Sequence, residues 1–291
     1  MITKVEALIS QCHSLDAQVA VFPDAFIGGY PKVAEFNIHA DGRSPEGREE
    51  FAAYYRQSIV VPGPETLRLG DAARKANLFL TIGIIERESA TLYCTVLFFG
   101  PNGTPLGKHR KLMSAGVDDQ FWGIGDGSTL TVVDSPFGKI GAVACWENYM
   151  PLLRAAMHAQ GIEIYCAPTA DDRDSWVPTM RHSTVEGRCC VPSACQYLRR
   201  KDFPSSMQNK LSTSNDDIVL RGGSVIVNPR GEILAGPHFD GEMILTADLN
   251  SDEIIRAKLD FDVTGQYGRN DIFNLAVDRR PRRAFDLMWA E

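Results

Sequence analysis

Short apolar runs of strand character recur along almost the whole chain, and that recurrence limits the fold more than any other feature. "QVAVFPD", "FLTIGIIER", "LYCTVLFFG", "TLTVVDSPFG", "KIGAVACW", "IEIYCAP", "CVPSACQY", "GGSVIVNP", "GEILAGP" and "EMILTADLN" each read as a strand. Helical patterns separate some of them. Val5, Leu8, Ile9, Cys12 and Leu15 recur at helical spacing, and "GPETLRLGDAARKANL" enters a helix through Pro64 and Glu65. Leu152, Leu153, Ala156 and Met157 predict a helix running on from Cys145 and closed by Gly161, and helices are also expected over residues 175–188 and in "SDEIIRAKL". Other strands are joined only by tight turns such as "NPRG". Crossover helices and hairpin turns in one chain predict an α/β layered sandwich around one continuous core, a single domain over residues 1–291. The stretch "IGGYPKVAEFNIHADGRSPEG", rich in Gly, Pro and polar residues, is expected to be a long functional loop.

Charge narrows the partners. A net charge of −7 leaves no basic stripe for a nucleic acid. The two basic clusters, Lys108 to Lys111 and Arg279 to Arg283, are short enough to read as solvated faces. No apolar run is long enough to cross a bilayer, and the polar amino-terminal stretch does not read as a signal peptide. The seven cysteines are odd in number and contain no Cys-x-x-Cys pair, which suits reduced thiols in a cytoplasmic compartment and disfavours zinc. His182 and Glu186, four apart on an expected helix, lack a third ligand, so neither a metal nor another cofactor is expected.

Cys145 ends a strand-like run and is followed at once by Trp146, Glu147 and Asn148. A thiol at a strand-to-helix junction is placed for nucleophilic attack, with the helix start expected to lower its pKa. The ordinary alternative is a small core residue. Asp24 follows another strand at the mouth of the glycine-rich loop, where a turn former is common. Lys111 ends a third, with Asp118 and Asp119 close behind, and such a lysine is commonly a surface charge. Glu147 is either an orienting group or a carboxylate favoured by a helix start. Tyr30, Trp122, Trp146, Tyr149 and Trp176 could line an apolar pocket or pack the core.

Taken in order, "FPDAFIGGYP", "TLYCTVLFFGPNG", "HRKLM", "FWGIGDGS", "CWENYMPLLR", "MRHSTVEGRC" and "GGSVIVNPRGEILAGP" resemble the nitrilase branch of the carbon–nitrogen hydrolase superfamily over nearly the whole length. The resemblance implies a four-layer αββα sandwich and a cofactor-free Glu-Lys-Cys catalytic set. Cys145 falls on the nucleophile, Lys111 on the catalytic lysine, Asp24 on the general-base glutamate and Asp118 on a second, supporting glutamate. It implies a small-molecule nitrile substrate cleaved to a carboxylic acid and ammonia, and a homo-oligomer, either a dimer or a larger spiral. Trp146 belongs to the nitrile-cleaving pattern, which makes an amidase the weaker reading.

The chain departs from the family pattern in four ways. Asp24 and Asp118 are each one methylene shorter than glutamate, a deficit of roughly 1–1.5 Å where about 1 Å of misplacement can cost about 100-fold in rate. Ser114-Ala115 and Asp119 stand where Pro-Thr and Arg are usual, and Gln266 where a histidine is common. The family's usual first strand is absent before Thr3 and is expected to be missing unless another segment or subunit supplies it. Two further readings therefore stand beside the nitrilase: a nitrile or cyanide hydratase that releases an amide, and a catalytically silent homologue used for binding or assembly.

Overall fold

The structure is a computed structural model that describes residues 1–31, 38–39, 42–114, 121–203, 208, 214 and 216–282. The chain enters through α1 (Ile2–Ser14) and β1 (Val19–Val21), then forms a small hairpin of β2 (Ile38–His39) and β3 (Gly42–Arg43). Next come α2 (Pro45–Gln57), β4 (Ile59–Val60), α3 (Pro64–Ala76), β5 (Phe79–Glu88), β6 (Thr91–Phe99) and β7 (Pro105–Arg110). The second half holds β8 (Val132–Val133), β9 (Ile140–Ala142), α4 (Pro151–Ala159), β10 (Ile164–Thr169), α5 (Trp176–Gly187), β11 (Val191–Cys195) and β12 (Tyr197–Arg199). It ends with β13 (Ile218–Arg221), β14 (Ser224–Val227), β15 (Ile233–His238) and α6 (Ser251–Asp260).

Two larger sheets form among the described residues. The first runs β1-β5-β6-β7 with β4 also paired to β5, and the second runs β15-β14-β11-β10-β9-β8. β9, β10 and β11 are parallel neighbours, as strands joined by α4 and α5 must be, while β5, β6 and β7 form an antiparallel meander. The two-residue alternation along the strands divides the core. Leu97 and Phe99 of β6 pack with Leu80, Ile82 and Ile84 of β5 against Val5 and Ile9 of α1 and Leu69 and Ala73 of α3. Val96 and Phe98 face the other way and meet Ile140, Ala142, Ile164 and Cys166 of the second sheet. That sheet's far side buries Tyr165, Val191 and Val225 under Leu153 and Met157 of α4 and Trp176 and Met180 of α5. The packing order is helices, sheet, sheet, helices.

Three local readings of the sequence are corrected. The long loop is interrupted by the β2–β3 hairpin, and its last residues begin α2, where Ser44 accepts a hydrogen bond from the Gly47 N–H at 3.0 Å and Pro45 takes the first helical position. Cys145 does not open an α-helix: residues Cys145–Tyr149 form a 3₁₀ turn, and α4 starts at Pro151, whose missing N–H suits a helix start. "EMILTADLN" forms no strand ladder among the described residues. Ile244 and Leu249 still pack to opposite sides, one into the helix-facing cluster and one between the sheets. The apolar alternation is real, but no described strand pairs with it through backbone hydrogen bonds.

Candidate active site

Cys145 sits just past β9, the strand between β10 and the edge strand β8 of the second sheet, with φ at +49°. A non-glycine residue in the left-handed region needs external support. Asn148 supplies it, its Nδ2 donating to the carbonyls of Val143 at 2.9 Å and Cys145 at 2.8 Å, while its Oδ1 accepts from the Tyr165 hydroxyl at 3.0 Å. The thiol is only 4% exposed. Burial pushes its pKa up, against the nearby Lys111 ammonium and hydrogen bonds from Thr169 and the Ala170 N–H, which pull it down. The expectation of a lowered thiol pKa is thus reversed, because the short turn does not outweigh desolvation. Held above its ordinary value, the Cys145 thiol keeps its proton.

Asp24 and Lys111 come from the first sheet. Asp24 follows β1 and is fully buried, in a turn that lies close against β5. Gly83 permits that approach: a Cβ there would sit 2.4 Å from the Pro23 carbonyl oxygen and 2.6 Å from Asp24 Cα. The Asp24 carbonyl accepts from Gln196 Nε2 at 2.7 Å. Lys111 extends β7, its backbone N–H donating to the Cys94 carbonyl at 2.9 Å. Its Nζ lies 3.4 Å from Asp24 Oδ2 and 5.8 Å from the centre of the Trp122 ring. Burial opposes the lysine's charge, but the facing Asp24 carboxylate more than offsets it, so its pKa stands well above the ordinary lysine value. The solvated-face reading of this basic run is therefore overturned: His109 and Lys111 are buried. Lys108 and Arg110 point to the opposite side of β7, where both pair with Glu86.

Glu147 links the two halves of the site. One of its oxygens accepts the Leu112 N–H at 2.7 Å; the other accepts the Ala144 N–H at 3.2 Å and His109 Nε2 at 3.0 Å. His109 Nδ1 meets the Thr129 carbonyl at 3.1 Å. Both ring nitrogens of His109 face oxygens, a carbonyl and a carboxylate, an arrangement that suits an imidazolium donating from both. Desolvation works against that charge and Glu147 outweighs it, leaving the His109 pKa raised. The buried ion pair clamps the end of the lysine strand to the turn that carries the nucleophile. Glu147 acts behind the thiol, with both of its oxygens already engaged.

The remaining sequence candidates separate. Trp146, 42% exposed, donates Nε1 to Asp171 Oδ2 at 3.0 Å and lies under the Arg173 guanidinium. Tyr149 also reaches Asp171, at 3.3 Å. Trp122 is buried beside Lys111, edge-on to Tyr30, with its indole N–H unpaired among the described residues. Trp176 belongs to the core: it is buried against Met180 and Val191, and its Nε1 donates to Ser193 Oγ at 2.9 Å. Gln266 lies on the surface and reaches the last carbonyls of α6. Asp118 and Asp119 lie outside the described residues. Sequence reasoning passed over His109, Cys94, Thr169, Gln196 and Asp171, although the alternation of faces along "KHRK" was available to place His109 with Lys111. Among the described residues no group of three His, Cys, Asp or Glu side chains could hold a metal ion.

A buried thiol on a strained turn, with an aspartate and an ammonium brought to it from the facing sheet, is a site for acyl or imidoyl transfer to sulfur. Residues 1–259 match the family model of the carbon–nitrogen hydrolases. The chain belongs to that family. This carbon–nitrogen hydrolase is 59% identical over 283 residues to an aliphatic nitrilase of Sinorhizobium fredii (strain HH103), an alignment covering 97% of this chain and 92% of the relative. It is 52% identical over 278 residues to a bifunctional nitrilase/nitrile hydratase of Nicotiana tabacum, covering 94% of this chain and 80% of that one. Its fold is similar to the crystal structure of a carbon–nitrogen hydrolase from Helicobacter pylori G27, with a TM-score of 0.73 at 18% identity over 94% of this chain and 90% of the other.

Proposed function

We propose that this carbon–nitrogen hydrolase is a nitrilase, converting a small nitrile and two waters to a carboxylic acid and ammonia through Cys145. The observation that carries the reading is the buried Asp24–Lys111 pair, whose charges act on a protonated Cys145 thiol. Asp24 takes the thiol proton as sulfur attacks the nitrile carbon. The carbon–nitrogen π electrons move to nitrogen, which Lys111 stabilises and to which Asp24 passes the thiol proton, giving a neutral thioimidate and freeing Asp24 to act as a base again. Water, deprotonated by Asp24, adds to the carbon and gives a tetrahedral adduct. The protonated nitrogen leaves as ammonia and a thioester remains. A second water releases the acid and restores the thiol. Trp146 and Trp122 flank the thiol and the lysine as apolar walls suited to a nitrile substituent, with Tyr30 behind Trp122. Asp118 would support Lys111.

A second reading has one finding in its favour, the bifunctional name of the tobacco relative. If the tetrahedral adduct expels the thiolate before ammonia, the product is an amide. The test is incubation with butyronitrile, benzonitrile, a cyanoamino acid and cyanide, following ammonia, acid and amide together with intact mass. Ammonia, acid and a Cys145 adduct are expected; amide without ammonia favours the hydratase. No adduct and no turnover from folded protein would sink both readings and leave a binding or assembly protein. Self-association of the protein in the cytoplasm fits the same reading, supported by the exposed apolar Ile272, Phe273, Leu275 and Val277. No described helix is long and apolar enough to cross a membrane.

A further inference from the structure

We propose that Cys94 is a positioning residue for Asp24, the thiol and the short carboxylate working as one unit. The inference rests on the reading of Asp24 as the general base and adds a partner to it. Cys94 lies within β6 and is buried; its Sγ donates to Asp24 Oδ1 at 2.9 Å. Lys111 takes the other oxygen at 3.4 Å, so the carboxylate has one partner on each side. The main chain fixes the spacing. The Cys94 carbonyl accepts the Lys111 N–H, and this places the thiol and the ammonium on adjoining residues of one ladder. Cys94 therefore cannot move away from Asp24 without carrying Lys111 with it. Burial and the Asp24 charge both push the Cys94 thiol pKa well up, which keeps the S–H in place as a donor and keeps Cys94 from competing with Cys145 as a nucleophile.

The need for such a partner follows from the length of Asp24. An aspartate at this position stops roughly one carbon–carbon bond short of where a glutamate would reach, and its contact with Lys111 is correspondingly long. The lysine alone does not decide which oxygen faces it. A donor fixed on the opposite side sets the rotation of the carboxylate, turning Oδ2 toward Lys111 and the nucleophile. The thiol does not touch substrate in this arrangement; it acts through Asp24.

Three substitutions separate this from a packing role. Cys94→Val keeps the apolar volume and removes the donor, Cys94→Ala removes both, and Cys94→Ser keeps a donor while placing a hydroxyl in the apolar site. Each is assayed with whichever nitrile of the four turns over fastest. A lost hydrogen bond to a charged group predicts that Val and Ala lower kcat about tenfold or more with KM nearly unchanged, while Ser retains most of it. A packing role predicts the reverse order, with Val the mildest and Ser the worst, and that order would overturn the proposal. Coupling gives a second readout. In the Asp24→Glu background the longer carboxylate no longer depends on the thiol, so Cys94→Val should cost at least about fivefold less there than in the wild type. Equal costs in the two backgrounds would also overturn it. If the wild type turns over no nitrile, the nitrilase reading fails by itself. Cys94 is then judged by the rate at which iodoacetamide alkylates Cys145, expected to fall in Cys94→Val and to hold in Cys94→Ser; the opposite result rejects it.

Discussion

Replacing Glu147 by glutamine tests the clamp between the two halves of the site with the smallest possible change of shape. The amide oxygen can still accept the Leu112 N–H. The amide nitrogen then faces two donors, His109 Nε2–H and the Ala144 N–H. His109 can give up its Nε2 proton and accept instead, keeping Nδ1–H on the Thr129 carbonyl. The Ala144 N–H has no such escape and is left buried and unpaired, at about 1–3 kcal/mol. With the lost charge pairing added, a loss of about 2–4 kcal/mol is expected, short of the 3–5 kcal/mol of a buried pair broken outright because the histidine can neutralise. At roughly 2 °C per kcal/mol for a chain of this size, thermal unfolding should drop by about 4–8 °C. The difference also depends on pH. His109 is held above its ordinary 6.5, so the pair's contribution is complete below that pH and is lost as pH rises through the higher folded value. The gap between wild type and Glu147→Gln should therefore be widest in mildly acidic buffer and should narrow at alkaline pH. Scanning fluorimetry across pH reads both quantities. A gap under about 0.5 kcal/mol, or one that does not change with pH, would refute the imidazolium assignment.

Two further outcomes test the base and the backbone that carries it. Asp24→Asn should leave the fold intact and lower nitrile turnover by at least about 100-fold, since general-base catalysis typically contributes 10²–10⁴; steady-state ammonia release measures it. Gly83→Ala should lower both melting temperature and kcat, because the new methyl would stand 2.4–2.8 Å from main-chain atoms of Pro23, Asp24 and Ala25, which have no rotamer to change. Unaltered kinetics in Gly83→Ala would mean that the turn can move off β5 without consequence.

Much of the fold is legible in the sequence where local pattern and tertiary setting agree. "FLTIGIIER" and "LYCTVLFFG" form the β5–β6 hairpin because each side of both strands meets an apolar partner. "EMILTADLN" carries the same alternation without a described strand paired to it, and pattern alone cannot report whether a partner strand is present. The start of α2 was written in Ser44 and Pro45 but masked by the glycine and proline content before it. In the site, strand-end position made Cys145, Asp24 and Lys111 candidates, and the family resemblance assigned their roles. His109 was hidden because its neighbours Lys108 and Arg110 made it look like part of a surface charge run. Glu147 stood out by following Cys145 but its partners did not, and Cys94 carries no local signal: what matters about both is which distant atom they face, and that is decided only when the sheets pack.

Cys145 follows a strand of one sheet, and Asp24 and Lys111 follow strands of the other. Between the two sheets lies the apolar seam of Val96, Phe98, Ile140, Ala142, Ile164 and Cys166. In the proposed mechanism these side chains act as a spacer between the two halves of the site, although none of them takes part in chemistry. Evolution can retune reactivity here by trading methyl groups far from any substrate, and a protein engineer who fills or hollows that seam changes the catalyst without touching the pocket.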